Sequence, residues 1–314
     1  MNLIAAWRAS GSSTQTAVIR STWSGASYRA TASTSRLGAG WQRDLLGEGF
    51  KRAGRIAGTR ATPSGVVTAG RDQALGHDQH VARVLGIVGG TGPESTIDYY
   101  RSIIASWQHR KPDGSYPRLI INSVEGSRIS RLLGEGDYSA VARDMAAAVR
   151  EVAMAGAGAA LLASNATHLA FDEIESASPI PLIHIVDAAR DAAASNGHRR
   201  LGMFGTRFVM EAPMYPERFA ARGMTVVLPS ADEREYIHAR YFGELVRGLF
   251  LDQTREELLE IIARMRDRDG IDGLILGGTE LALILTEPSY AGVPIINTAN
   301  THVERAVDWL LRRT

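Results

Sequence analysis

The chain has 314 residues, 45% of them apolar, and its 35 basic and 34 acidic side chains leave a formal net charge of +1. That is enough apolar material for a sizeable core, better divided over two moderate domains than one, and the interspersed charge gives no electrostatic case for nucleic acid or an anionic membrane, so the expected partner is a small molecule. Cysteine is absent, which excludes disulfides, thiolate metal sites and thiol nucleophiles, and no apolar run reaches the roughly 18 residues of a membrane span.

Up to Arg43 there is no Asp or Glu, and Ser, Thr, Ala, Gly and Arg dominate without an apolar period. This composition predicts a largely disordered extension over residues 1–80. An Arg-rich, Ser-rich, acid-poor stretch also matches an organelle-targeting segment, and an over-long start assignment with a GC-rich coding bias accounts for it too. The ordered protein is expected to begin near Val81 and to be cytoplasmic, although a lack of cysteine fits either redox condition.

From Val84 the pattern is apolar strand, turn, amphipathic helix, repeated. VLGIVGG predicts a strand and breaker, and residues 93–107 predict a helix with Ile97, Tyr100, Ile103, Ile104 and Trp107 on one face and Pro93 in its first turn. RLIINSV and AALLASN predict further strands around the helical stretch DYSAVARDMAAAVREVAMAG. Strands that are apolar on both faces and alternate with helices indicate parallel sheets covered on both sides.

The pattern then restarts: RRLGMFGTRF echoes RVLGIVGGTG, and GLILGGTELA echoes AALLASNATH. This predicts an α/β protein of two similar Rossmann-like or flavodoxin-like parallel-sheet domains, 81–186 plus 294–314 and 187–293, with the closing strand and helix packed back on the first. Ligands in such folds sit beyond the carboxyl ends of the strands, so GGTGPE, ASNATH, FGTRF and GGTEL should meet in one cleft between the domains.

The Gly90-Thr91-Gly92 turn lacks the third glycine of a dinucleotide loop and opens onto a helix N-terminus, which suits either a carboxylate or phosphate, or simply a tight turn. Asn122 and Ser123 end a strand, where they can hold a substrate carboxylate or amine or make a turn. Ser164 stands at a strand-to-helix turn without the G-x-S-x-G elbow, and His168, one helical turn on, reads more readily as a capping or packing residue than as a base. Glu280, after Thr279, fits a dipole-stabilising position. His184 and His302 lack metal-ligand spacing, so no metal is expected.

Together these segments resemble the aspartate/glutamate racemase family from about Val84 to the C-terminus: LGIVGGTGPEST its first strand and loop, SNATH its Cys-Asn-Thr-x-His segment, and LGGTEL its Gly-Cys-Thr-Glu segment. LGMFGTRFVMEAPMYPERF and LPSADEREYIHARYFGEL are similar to its second domain. The resemblance implies an isomerase that needs no pyridoxal phosphate or other cofactor and acts on a small acidic amino acid or related dicarboxylate; a homodimer stays open. It places Ser164 and Gly278 where the family has the two cysteines that exchange the substrate's α-proton from opposite faces, so the two-thiol mechanism is lost and Ser164, Thr279, Glu280 or His168 would have to replace it. It also implies that Asn165 holds substrate, with Thr206, Thr279, Tyr215 and the Gly90–Gly92 turn keeping the binding half of the site. Thr167 stands one place later than the family's threonine, and Asn297 where an Asp is frequent. The alternative is a non-catalytic binding protein for a small carboxylate.

Overall fold

The computed structural model describes residues 5–7, 14–20, 27–33 and 83–312, and the chain divides into two units, Met1–Leu75 and Gly76–Thr314. In the first unit, β1 (Ala5–Trp7), β2 (Thr14–Arg20) and β3 (Ser27–Ser33) form an antiparallel sheet in the order β1-β2-β3. The composition led to no regular structure there. The β-branched residues of TQTAVIR favour an extended backbone, and the other residues of 1–80 lie outside the described ones.

The second unit carries the repeat. Its first half runs β4 (Val84–Gly89), α1 (Pro93–Arg110), β5 (Arg118–Ser123), α2 (Gly126–Glu135), α3 (Tyr138–Met154), β6 (Ala159–Leu162), a 3-10 turn over Ala166–Ala170, α4 (Phe171–Ser176) and β7 (Leu182–Ile183). The second runs α5 (Ile185–Ser195), β8 (Arg200–Gly205), α6 (Arg207–Glu211), α7 (Met214–Ala220), β9 (Thr225–Val227), α8 (Ala231–Gly243), α9 (Asp252–Asp269), β10 (Gly273–Gly277), α10 (Leu281–Ile284), β11 (Ser289–Tyr290), β12 (Val293–Asn297) and α11 (Thr298–Leu311).

The first sheet is ordered β5-β4-β6-β7 and the second β11-β12-β10-β8-β9. Both are parallel apart from the β11–β12 edge. The parallel strands therefore follow one order, second-first-third-fourth, in both halves. This is the flavodoxin-like order, whose switch point lies between the first and third strands, here β4/β6 and β8/β10. The expected two-domain α/β architecture is the one observed.

Apolar clusters cover both faces of each sheet. Val88, Ala160 and Leu162 pack beneath α2 and α3, and Leu85, Ile87 and Leu161 beneath α1 and α11. Leu274 and Leu276 pack beneath α8 and α9, and Leu201, Met203 and Ile275 beneath α5 and α7. Among the described residues no helix is long and apolar enough to cross a membrane.

Two sequence expectations need correcting. The closing strand β12 does not join the first domain: it pairs with β10, Leu274 beside Ile295, because the apolar strand completes the open edge of the second sheet, and only α11 returns to the first. The buried stripe of α1 is also rotated. Tyr99, Ile103 and Trp107, spaced by four, are buried, whereas Ile97 and Tyr100 are 43% and 46% exposed, because Tyr99 is held inward by its hydroxyl against His302 Nδ1 at 3.0 Å.

Candidate functional site

The two switch points open onto one cavity of about 80 Å³, lined from the first half by Thr91, Gly92, Ser130, Leu133, Ser164, Asn165 and Ala166 and from the second by Thr206, Phe208, Val209, Tyr241, Phe242, Val246, Gly277, Thr279 and Glu280. One water needs on the order of 10–15 Å³ by this measure, so the space suits a ligand of few heavy atoms. All four expected segments contribute.

The turn after β4 is set by Gly90 and Thr96. Gly90 has φ +93°, and a Cβ on it would strike the Val124 backbone. Its N–H donates to Thr96 Oγ1 at 2.9 Å, and the threonine hydroxyl donates to the Gly92 carbonyl at 3.2 Å. Gly90 is therefore not the ligand donor expected of it, since its N–H is spent closing the turn. Thr91 and Gly92 do reach the cavity.

A side chain of the protein already occupies the N-terminus of α1. Glu280, 3% exposed, lies so close to Gly92 that a Cβ there would collide with Oε1. Ser95 Oγ donates to Oε1 at 3.0 Å, Thr279 Oγ1 donates to Oε2 at 2.9 Å, and the Tyr241 hydroxyl also donates to Oε2. A carboxylate at a helix N-terminus is electrostatically favoured, and this one links the second half to the first. Burial, then the Glu280 charge and hydrogen bond, raise the Tyr241 hydroxyl well above the usual tyrosine range, so Tyr241 is a neutral phenol.

Tyr241 comes from α8, which starts with a capping box between Ser230 and Glu233. Ile237 and Tyr241, one turn apart, both face the core. Its ring fills the space beside Gly278, where an added Cβ would lie 2.5 Å from Cε2 and 3.0 Å from the hydroxyl.

On the first half, Asn165 is fixed at both ends. Tyr215 OH donates to Oδ1 at 2.5 Å, Nδ2 donates to Thr298 Oγ1 at 3.1 Å, and Thr298 Oγ1 donates to the Leu276 carbonyl at 2.6 Å. Tyr215 is fully buried and does not line the cavity; its hydroxyl holds Asn165. The Ser164 carbonyl accepts from Thr167 Oγ1 at 3.1 Å and lies 2.8 Å from His168 Nδ1, while His168 Nε2 accepts the Ile185 N–H at 3.3 Å. Both ring nitrogens are thus committed to backbone, and burial lowers His168 well below the usual histidine range. Neither Thr167 as a binding group nor His168 as a base is brought to the cavity.

Asn122 also turns away, its Nδ2 donating to Glu151 Oε2 at 2.6 Å and to the Ala148 carbonyl at 3.3 Å on α3. Ser123 is exposed beside Gly90 and outside the lining. The structure thus gathers Thr91, Gly92, Ser164, Asn165, Thr206, Thr279 and Glu280. Thr206 doubles as the cap of α6, its Oγ1 accepting the Val209 N–H at 3.4 Å. Asn297 caps α11 by accepting the Asn300 N–H at 3.0 Å, a task an Asp would perform equally. Sequence reasoning missed Tyr241 and Ser95. The one available signal was Gly278 itself, because a bare glycine at a strand end that is otherwise walled by side chains implies a large neighbour.

A repeated flavodoxin-like half with a small cavity where the switch points face each other defines a two-domain α/β protein with room for a small ligand. The Asp/Glu/hydantoin racemase family model matches residues 88–306, and the chain belongs to that family. It is 30% identical to a Yersinia pestis protein assigned as an Asp/Glu racemase, over 73% of this chain and 100% of that one, with a TM-score of 0.67. An aspartate racemase homologue from Pyrococcus horikoshii OT3 is 29% identical over the same shares, with a TM-score of 0.64. Glutamate racemase from Campylobacter jejuni, 15% identical over 72% of this chain and 85% of that one, shares the fold at a TM-score of 0.52.

Proposed function

We propose that this protein carries out cofactor-independent, racemase-type proton transfer at the α-carbon of a small acidic amino acid or related dicarboxylate. The observation that carries the reading is that Ser164 from one sheet end and the Tyr241–Glu280 pair from the other line a single small cavity. Aspartate is the first ligand to try, since the Pyrococcus horikoshii relative is an aspartate racemase homologue. Among the described residues no Lys or Arg lines the cavity, so a ligand carboxylate would be held by neutral hydroxyl, amide and backbone donors. With no cysteine in the chain, the two-thiol route is closed, and inversion by the unmodified protein should be very slow or absent.

The test is incubation with L-Asp, D-Asp, L-Glu or D-Glu in D₂O, following the α-proton signal. Uptake of α-deuterium reports proton abstraction even where no inversion follows. A second reading, a binding protein without catalysis, is favoured by Glu280 itself: its carboxylate is engaged by three hydroxyls at the helix end where a ligand carboxylate was expected. Calorimetric binding of one of these amino acids without deuterium uptake would support that reading. No binding at millimolar concentration would remove both.

A further inference from the structure

Position 278 is empty of side chain but not of chemistry. The phenol of Tyr241 stands within 3.0 Å of the point where a Cβ would start, so its hydroxyl lies in the volume that a side chain of residue 278 would sweep. The same hydroxyl donates to Glu280, and both residues face the cavity. Across from them, among the described residues, Ser164 has no matching acid–base partner, for the adjacent imidazole of His168 is bound to the Ser164 carbonyl and to the Ile185 N–H.

We propose that Tyr241, coupled to Glu280, is the proton-transfer group on the second face of the site, and that the protein acts from this face alone, exchanging the α-proton with retention of configuration. The inference rests on the amino-acid reading above. In the forward step the α-C–H bond breaks and its proton goes to the Tyr241 oxygen. The phenolic proton passes in the same motion to Glu280 Oε2, and the C–H electron pair stays on the substrate as a carbanion delocalised into its carboxylate. One negative charge moves from Glu280 to the substrate, and no oxidant, reductant or co-reactant is consumed. The reverse step returns a proton, or a deuteron after exchange with solvent, to the same face. Because the phenol is held neutral, a free phenolate is not the base; the carboxylate must take the phenolic proton as the α-proton arrives. Ser95 and Thr279 act as positioning residues that hold the carboxylate under the phenol.

The full chain is assayed with the four amino acids in D₂O by NMR, alongside calorimetric binding. The unmodified protein should exchange one antipode with retention. Tyr241→Phe, which keeps the ring and its packing, should slow exchange by about a hundredfold or more while ligand affinity stays within about threefold, a separation that loss of packing alone would not produce. Ser164→Cys should add slow inversion by supplying a thiol on the other face. Exchange undiminished in Tyr241→Phe would overturn the proposal, as would inversion by the unmodified protein at the rate of its exchange. Binding without any exchange would overturn it and leave the ligand reading standing, whereas neither binding nor exchange would remove the ligand reading itself.

Discussion

Gly278 and Tyr241 share one volume, and that sharing makes a testable coupling. A methyl added at 278 meets the Tyr241 ring at 2.5 Å, closer than side chains tolerate, so Gly278→Ala should cost about 1–3 kcal/mol through overpacking. With Tyr241→Leu in place the same substitution should cost far less. Urea midpoints of the four proteins give the coupling energy, and effects that add to within about 0.5 kcal/mol would show that the two residues do not compete for space. A cysteine at 278 meets the same ring, so a thiol there should take over the second face only when Tyr241 is also shortened. Ser164, Thr279 and Glu280 were legible as cavity residues only through the SNATH and LGGTEL segments taken together, since each alone also fits a turn, a cap or a helix-dipole position. Tyr241 was not, since it lies inside a helical stretch and its partner is set by the sheet order, which no local pattern reveals.

At the scale of elements, periodicity recovered β4, β5, β6, β8 and β10 together with α1 and α3, because strands buried on both faces and long amphipathic helices leave strong patterns. It failed where tertiary pairing decides. The strand PIIN was apolar enough for either sheet, and only the free edge of β10 determined its place. The consequence is mechanical: α11 starts on the second sheet and packs on the first, so its first residue, Thr298, bridges the halves between the Asn165 amide and the Leu276 carbonyl. Thr298→Val keeps the shape and removes the hydroxyl, leaving the buried Asn165 amide without the acceptor it has here. The expected loss is about 1–3 kcal/mol, read by urea denaturation, together with weaker ligand binding as Asn165 loses its anchor. A change below about 0.5 kcal/mol with unaltered affinity would show that the bridge contributes little.

For the whole molecule, Gly76–Thr314 is a unit of its own, and we expect a chain cut to residues 81–314 to keep a cooperative melt. Loss of that melt would mean the preceding segment is needed for folding. The same unit should be sensitive to acid. Where its two halves join, His168, His184 and His302 cluster, with His168 ring centroids 4.9 Å from His184 and 5.9 Å from His302. His168 Nε2 and His184 Nδ1 each accept a backbone N–H, at 3.3 Å and 3.0 Å, a bond that protonation there would break, and His302 lies between Tyr99 OH at 3.0 Å and the Ile183 carbonyl at 2.7 Å. Burial first, then nearby Arg218 for His184 and His168 for His302, lower both to about 3, and His168 falls as well. In the unfolded chain these histidines take up protons below about pH 6.5, whereas in the folded chain His184 and His302 refuse them down to about pH 3 and His168 is held well below the ordinary histidine range. The unfolded state therefore binds more protons throughout that window. Stability is complete above about pH 6.5 and falls as the pH drops, by up to about 1.4 kcal/mol per pH unit for each histidine. Urea midpoints at pH 7.5, 6.5, 5.5 and 4.5 should decline below the second point, and His302→Gln should remove about one proton from the slope. A flat profile from pH 7.5 to 4.5 would mean that these rings can protonate within the fold.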